Sequence, residues 1–264
     1  PDFELIVVKN LSANKGMGSI DRWVRKTSSS YTTPIIFSDF VAQKSDKYRS
    51  TTIAFGHTGF IDEIFLWTPG SQITLKEFFN YGVKEYYIFS ELQNLYLSSD
   101  VDNVLYYRNN NFADLSNTLR SFSSQGEQNN YFINNSRIKT TYKNGLIVYV
   151  NRDISSIWNV NESGVDYYIP SNGWLARHPS TNLLVYSALV DTNGNPSATG
   201  HRVDYARTQN YIMMNGRGVQ TSFANEFTNA SSNSTYLTVL KPNGWTILED
   251  SLGNFTVISI NYCG

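Results

Sequence analysis

From about residue 125 onward the chain is cut into short pieces by turn signals, and that cadence limits its possible folds more than any other feature. The signals are Lys143-Asn144-Gly145, Ser171-Asn172-Gly173, Asp191-Thr192-Asn193-Gly194, Asn215-Gly216, Pro242-Asn243-Gly244 and Leu252-Gly253-Asn254. The runs between them are rich in β-branched and aromatic residues and show no helical period, as in an antiparallel β-sandwich. Ser136-Arg137-Ile138-Lys139-Thr140-Thr141-Tyr142 and Leu146-Ile147-Val148-Tyr149-Val150 flank Asn144-Gly145, which predicts a hairpin closed by a type I′ turn.

Before residue 125 strand-like and helix-like stretches alternate, the pattern of α/β packing. Phe3-Glu4-Leu5-Ile6-Val7-Val8, Pro34-Ile35-Ile36-Phe37 and Thr51-Thr52-Ile53-Ala54-Phe55 are apolar runs of the buried-strand type. Thr74-Leu75-Lys76-Glu77 has capping-box spacing, with Gly82 as the stop. Further helices are expected from Glu91 to Leu97 and from Phe112 to Phe122, the second with Phe112, Leu115, Leu119 and Phe122 on one face. The polar stretch Gln125–Asn130 reads as a linker, which divides the chain into an α/β region at 1–125 and a β-sandwich at 126–264. The fold class expected is therefore α+β, mainly β.

Six Asn-x-Ser/Thr acceptors, at Asn10, Asn134, Asn161, Asn229, Asn233 and Asn254, predict an N-glycosylated protein at the cell surface or outside the cell. With charged residues at only 16% and 18 tyrosines, the surface relies on neutral hydrogen bonding. A net charge of −1 offers no basic face for nucleic acid. No apolar run approaches the ~20 residues that span a bilayer. Cys263 is the only cysteine, so no internal disulfide forms. His178 and His201 lack companions at metal-ligand spacing, and no cofactor motif is present.

Asn144-Gly145-Leu146-Ile147-Val148-Tyr149-Val150-Asn151-Arg152, Trp158-Asn159-Val160 and Tyr168-Ile169-Pro170-Ser171-Asn172-Gly173-Trp174-Leu175-Ala176 together resemble the β-sandwich that follows the catalytic barrel in large glycoside-hydrolase-like proteins. His201-Arg202-Val203-Asp204-Tyr205 and Asn215-Gly216-Arg217-Gly218 look like its continuation, and Ala54-Phe55-Gly56-His57-Thr58-Gly59-Phe60 looks like the last barrel strand and its loop. The resemblance implies a carbohydrate-associated protein, a glycoside hydrolase or an inactive relative. A closed barrel takes at least about 200 residues, and only about 120 precede the sandwich. A companion chain or upstream segment would have to complete it.

Glycoside hydrolysis uses two carboxyl groups flanking the scissile bond. Asp39 and the neighbours Asp62 and Glu63 follow strand-like runs, which makes Asp39 and Glu63 the catalytic candidates, with Glu91 behind them. His57, Asp62 and Trp67 are the candidates for binding sugar: glycines flank His57, and Trp67 stands before Thr68-Pro69-Gly70 at a loop edge. The other tryptophans, Trp23, Trp158, Trp174 and Trp245, read mainly as core. A different class of role fits the same composition: a structural subunit of an extracellular filament or surface layer, polymerising through strand-like ends at 3–8 and 255–262.

Overall fold

The computed structural model describes residues 45–57, 74–227, 232–242 and 244–259. Within them the protein is α+β and mainly β. Helices α1 (Ser45–Ala54) and α2 (Leu75–Leu97) precede strands β1 (Val101–Arg108) and β2 (Asn111–Ala113). Short helices α3 (Leu115–Arg120) and α4 (Gln125–Asn130) follow, then a π turn at Tyr131–Asn135. The rest is strand: β3 (Arg137–Tyr142), β4 (Ile147–Asn151), β5 (Trp158–Glu162), β6 (Val165–Ile169), β7 (Gly173–His178), β8 (Leu183–Val190), β9 (His201–Arg207) and β10 (Ile212–Asn215). A small pair, β11 (Thr221–Ser222) and β12 (Asn233–Ser234), comes before β13 (Leu237–Leu240), β14 (Trp245–Glu249) and β15 (Phe255–Ser259).

One antiparallel sheet runs β15-β14-β13-β10-β9-β8-β7-β4-β3-β1-β2, and the β5-β6 hairpin branches from it through β8. Its central strands are apolar on both faces because each face has its own cover. On β4, Val148 and Val150 face the core beneath α1 and α2, while Ile147 and Tyr149 face a second core with Trp158, Tyr186 and Tyr205. Two cores on opposite sides of a sheet give the sandwich-like layering. The first core joins Tyr48, Leu92 and Tyr106 to Val148, Met213 and Val239, so residues from before and after 125 pack together.

Several local expectations are corrected. Residues 51–54 belong to helix α1 and Phe55 to the turn that ends it, so this run is neither a buried strand nor the last barrel strand. Ser50 and Thr51 donate their hydroxyls to the Lys47 carbonyl at 3.0 and 2.8 Å, so a helix of β-branched and polar residues is buried with its hydroxyls satisfied. The capping box at Thr74 forms in full, with Glu77 Oε2 accepting from the Thr74 amide at 2.8 Å. Gly82 does not stop the helix. A glycine inside a helix costs about 1 kcal/mol, and burial of Tyr81, Ile88, Leu92 and Tyr96 outweighs it, so α2 runs unbroken through Glu91 to Leu97. The expected 112–122 helix breaks at Asp114, which caps α3 by accepting from the Asn117 amide at 2.7 Å. Phe112 thereby joins β2 and the second core, opposite Leu115, Leu119 and Phe122. The expected linker is helix α4, capped by Ser124.

The predicted hairpin forms, with Thr141 paired to Ile147. Its turn is not type I′, since only Gly145 has positive φ, at 93°, and the Gly145 amide donates to the Tyr142 carbonyl at 2.9 Å. That is the three-residue loop with a glycine bulge. Asn144 instead reaches out of the turn, where its Nδ2 donates to the Leu95 carbonyl at 2.9 Å and satisfies a carbonyl in the last turn of α2. Positive φ at both central residues, the type I′ signature, occurs at Asn109-Asn110 and Ser163-Gly164.

Candidate functional site: a buried arginine and carboxylate junction

A strand arginine, a turn arginine and helix α1 meet at one point. Arg202 and Asp204 are two apart on β9 and so share a face. Arg217 lies in the turn after β10, between Gly216 and Gly218, with φ of 51°. An alanine Cβ at Gly216 would sit 2.1 Å from the Val219 carbonyl oxygen, so glycine is what lets this turn close.

Asp46, in the first turn of α1, receives three guanidinium groups. Arg217 grips it with two parallel bonds of 2.8 Å, Arg202 reaches it at 2.9 Å, and Arg49 on the next turn of the helix reaches it at 3.3 Å. Arg217 also holds Asp204 at 2.8 and 2.9 Å, and Ser187 bridges Asp204 and Arg202 with bonds of 2.6 and 2.7 Å. Arg202 lies over Trp174 and donates to the carbonyls of Ser171 and Asn172 at 3.1 and 2.7 Å. Arg49 pairs with Glu85 in the middle of α2, beside Tyr81. Three cations and three carboxylates thus tie α1, α2, β8, β9 and two turns together.

Burial alone would raise the pKa of Asp46, but Arg202, Arg217 and Arg49 outweigh it and hold the carboxyl well below the usual carboxylate range. Asp204 is likewise lowered, with burial overcome by Arg217. Burial pushes Glu85 upward against the pull of Arg49, and pushes Arg202 down to about 10, still charged at neutral pH. Carboxylates saturated by guanidinium groups are poor proton donors or acceptors. Chemically the junction is a clamp: it fixes α1, the helix that in sequence follows Asp39 and precedes Asp62, Glu63 and Trp67.

Asp39, Asp62, Glu63 and Trp67 lie outside the described residues, as do Trp23, Asn10 and Asn229. His57 stands just past α1, where burial lowers its imidazole pKa and its carbonyl accepts from the Tyr96 hydroxyl at 2.8 Å. Glu91 accepts from Asn210 at 2.7 Å and is a strut. His178 is held between Thr181 Oγ1 and the Asn144 carbonyl, each at 2.8 Å. Trp158 and Trp174 are core, whereas Trp245 is 44% exposed. Among the described residues no three His, Cys, Asp or Glu side chains gather as a metal site, and no helix is long and apolar enough to cross a membrane.

Of the glycan acceptors, Asn161 is exposed at the β5-β6 turn, with Ser163 exposed beside it. Asn233 is exposed on β12, and Asn254 is exposed in the turn before β15, where its Oδ1 accepts from Lys76 at 2.6 Å. Asn134 is half-buried, and the hydroxyl residue of its acceptor triplet, Ser136, is fully buried.

None of the six junction residues stood out in the sequence as a site. The signals were an arginine between two glycines and Arg-x-Asp on a strand, both of which read as ordinary turn and strand chemistry until α1 is placed. Compared with known protein families, curated proteins and solved structures, the chain shows no match.

Proposed function

We propose that the chain is a carbohydrate-associated module of an exported glycoprotein, akin to the region after the barrel in glycoside-hydrolase-like proteins, without glycosidase turnover of its own. One observation carries the reading. Three of the stretches behind the resemblance have strands and turns where it implies them, though Ala54-Phe55 does not form the implied barrel strand: Asn144-Gly145 turns into β4, Trp158-Asn159-Val160 starts β5, and Pro170-Ser171-Asn172-Gly173 is the turn into β7. The continuation at Arg202, Asp204 and Arg217 converges on the segment that leads to His57.

On this reading the purified chain binds soluble polysaccharide weakly through His57, Asp62 and Trp67, and hydrolyses neither polysaccharides nor aryl glycosides. Affinity electrophoresis across a polysaccharide panel, comparing wild type with His57→Ala and Trp67→Ala, tests the binding. Equal retardation of all three proteins on every polysaccharide would end the assignment of these residues. Hydrolysis by the wild type that an Asp39→Asn, Glu63→Gln double variant lacks would show a working active site.

Export predicts glycan at Asn161, at the exposed end of the β5-β6 hairpin, and at Asn233, exposed on β12, and none at Asn134, whose acceptor hydroxyl residue Ser136 is fully buried. Native material treated with peptide N-glycosidase should lose mass and gain aspartate at those two positions. Untreated native protein already at the bare chain mass of 29.9 kDa would remove the case for export through a glycosylating pathway.

A further inference from the structure

Asn-Gly steps occur at Asn144, Asn172, Asn193, Asn215 and Asn243, and at each the asparagine side chain faces a reactive neighbour in its own backbone. The amide nitrogen of a glycine is the least shielded nucleophile a peptide offers, because no Cβ stands beside it. Asn243 lies outside the described residues. The fold treats the other four asparagines differently.

Asn144 donates its Nδ2 to the Leu95 carbonyl at 2.9 Å while its Oδ1 accepts from the Leu146 amide at 3.1 Å. Asn172 is held between the Ser50 hydroxyl, which donates to its Oδ1 at 3.3 Å, and Ser171 Oγ, which accepts from its Nδ2 at 3.2 Å. Asn215 is 9% exposed, and its Oδ1 accepts from the Arg217 amide at 2.8 Å. Asn193 is exposed in the turn after β8, and among the described residues its side-chain amide has no hydrogen-bond partner; only its backbone amide is held, by Asp191 Oδ1 at 2.9 Å. The glycines do not make this distinction, since the amides of Gly145, Gly173 and Gly194 all donate within their turns, at 2.9, 2.8 and 3.0 Å. What differs is the freedom of the asparagine side chain to swing its Cγ toward the glycine nitrogen.

The turn that carries Asn193 also supports a neighbour. The Thr192 carbonyl accepts from the Ser222 amide at 3.0 Å, and Asn195 Oδ1 accepts from Asn225 at 3.1 Å. Gly194 packs so closely that an added Cβ would lie 2.1 Å from the Ser222 carbonyl oxygen. Ser222 is in β11, and the next residue, Phe223, stacks on Tyr205 in the second core. We propose that Asn193 is a site of spontaneous deamidation, and that the change loosens β11 and Phe223 from the second core. The Gly194 nitrogen attacks Asn193 Cγ and gives up its proton, and Nδ2 leaves with that proton as ammonia. Water then opens the cyclic imide at either carbonyl, to aspartate or to isoaspartate. In isoaspartate the backbone runs through the former side chain and is longer by one methylene, so the contacts of Thr192 and Gly194 with Ser222 no longer fit together.

Ageing the full chain in mildly alkaline buffer, followed by peptide mapping, tests the site. Isoaspartate and aspartate should accumulate at Asn193 ahead of Asn144, Asn172 and Asn215, whereas in concentrated urea the four should convert at similar rates because the fold no longer pins three of them. Conversion at Asn193 no faster than at those three in the folded protein would overturn the proposal. So would the same order in urea, which would place the cause in local sequence. Hydrogen exchange tests the consequence: in the isoaspartate form the Ser222 amide should exchange roughly tenfold faster than in fresh protein, while the amides of β8, in the sheet centre, keep their protection. Freshly prepared Asn193→Asp, which adds the charge without lengthening the backbone, should exchange like fresh protein. An unchanged Ser222 amide in the isoaspartate form, or equal acceleration in Asn193→Asp, would overturn the loosening.

Discussion

Replacing Asp204 with alanine is expected to cost about 3–5 kcal/mol of folding stability, because removing one partner from a buried ion-pair network leaves the other charges uncompensated. The Asp204 side chain is 4% exposed and holds Arg217 by two bonds and Ser187 by a third. Urea unfolding of wild type, Asp204→Ala, Arg217→Met and the double variant forms a cycle, in which the double variant should be less damaged than the two single losses summed. A loss under about 1 kcal/mol for Asp204→Ala would mean that water or side-chain rearrangement compensates the charges, and the clamp reading would fail.

The same network fixes the acid response. Asp46 and Asp204 have lowered pKa values in the fold, so their stabilisation is present above the unfolded carboxylate value of about 4 and is lost as pH falls through the folded values. Glu85 and Glu226 are raised by burial, so the native state takes up their protons earlier and they act in the opposite sense. The wild-type urea midpoint should fall below about pH 4, and the fall should be shallower in Asp204→Asn, which no longer titrates there.

Trp174→Ala is expected to cost a similar amount, about 3–5 kcal/mol, the range for a fully buried tryptophan. Trp174 has no exposed surface, is flanked on its strand neighbours by Val150 and Ser187, and supports the Arg202 guanidinium. Trp245→Ala is the internal comparison: its side chain stands 44% exposed on β14, and the loss there should stay under about 1 kcal/mol. Thermal unfolding of both variants checks the order. Equal losses would overturn the ranking by burial.

Legibility followed the range of the forces. The Thr74 capping box, the strands on either side of Asn144-Gly145 and the turn before Gly173 were readable because cap, hairpin and turn are decided within a few residues. The expectation failed where burial reversed a local preference. Thr51, Thr52 and Ile53 favour a strand, yet they lie in a buried helix packed on the sheet, where the Thr51 hydroxyl turns onto the helix backbone. Gly82 favours a stop, yet the core contacts on either side of it carry α2 onward.

The sequence by itself determined the class of the fold, since the turn cadence after residue 125 cannot be satisfied by helices and the alternation within each run assigns its residues to one core or the other. Only the tertiary structure decided what the charges do. Asp46, Glu85, Asp204 and Arg217 are far apart along the chain and each is unremarked in its own neighbourhood, but α1 and the turn after β10 bring their opposite charges together where water is scarce and Coulomb attraction is strong. Pairing of this kind depends on which surfaces meet in space, and local sequence carries no record of it.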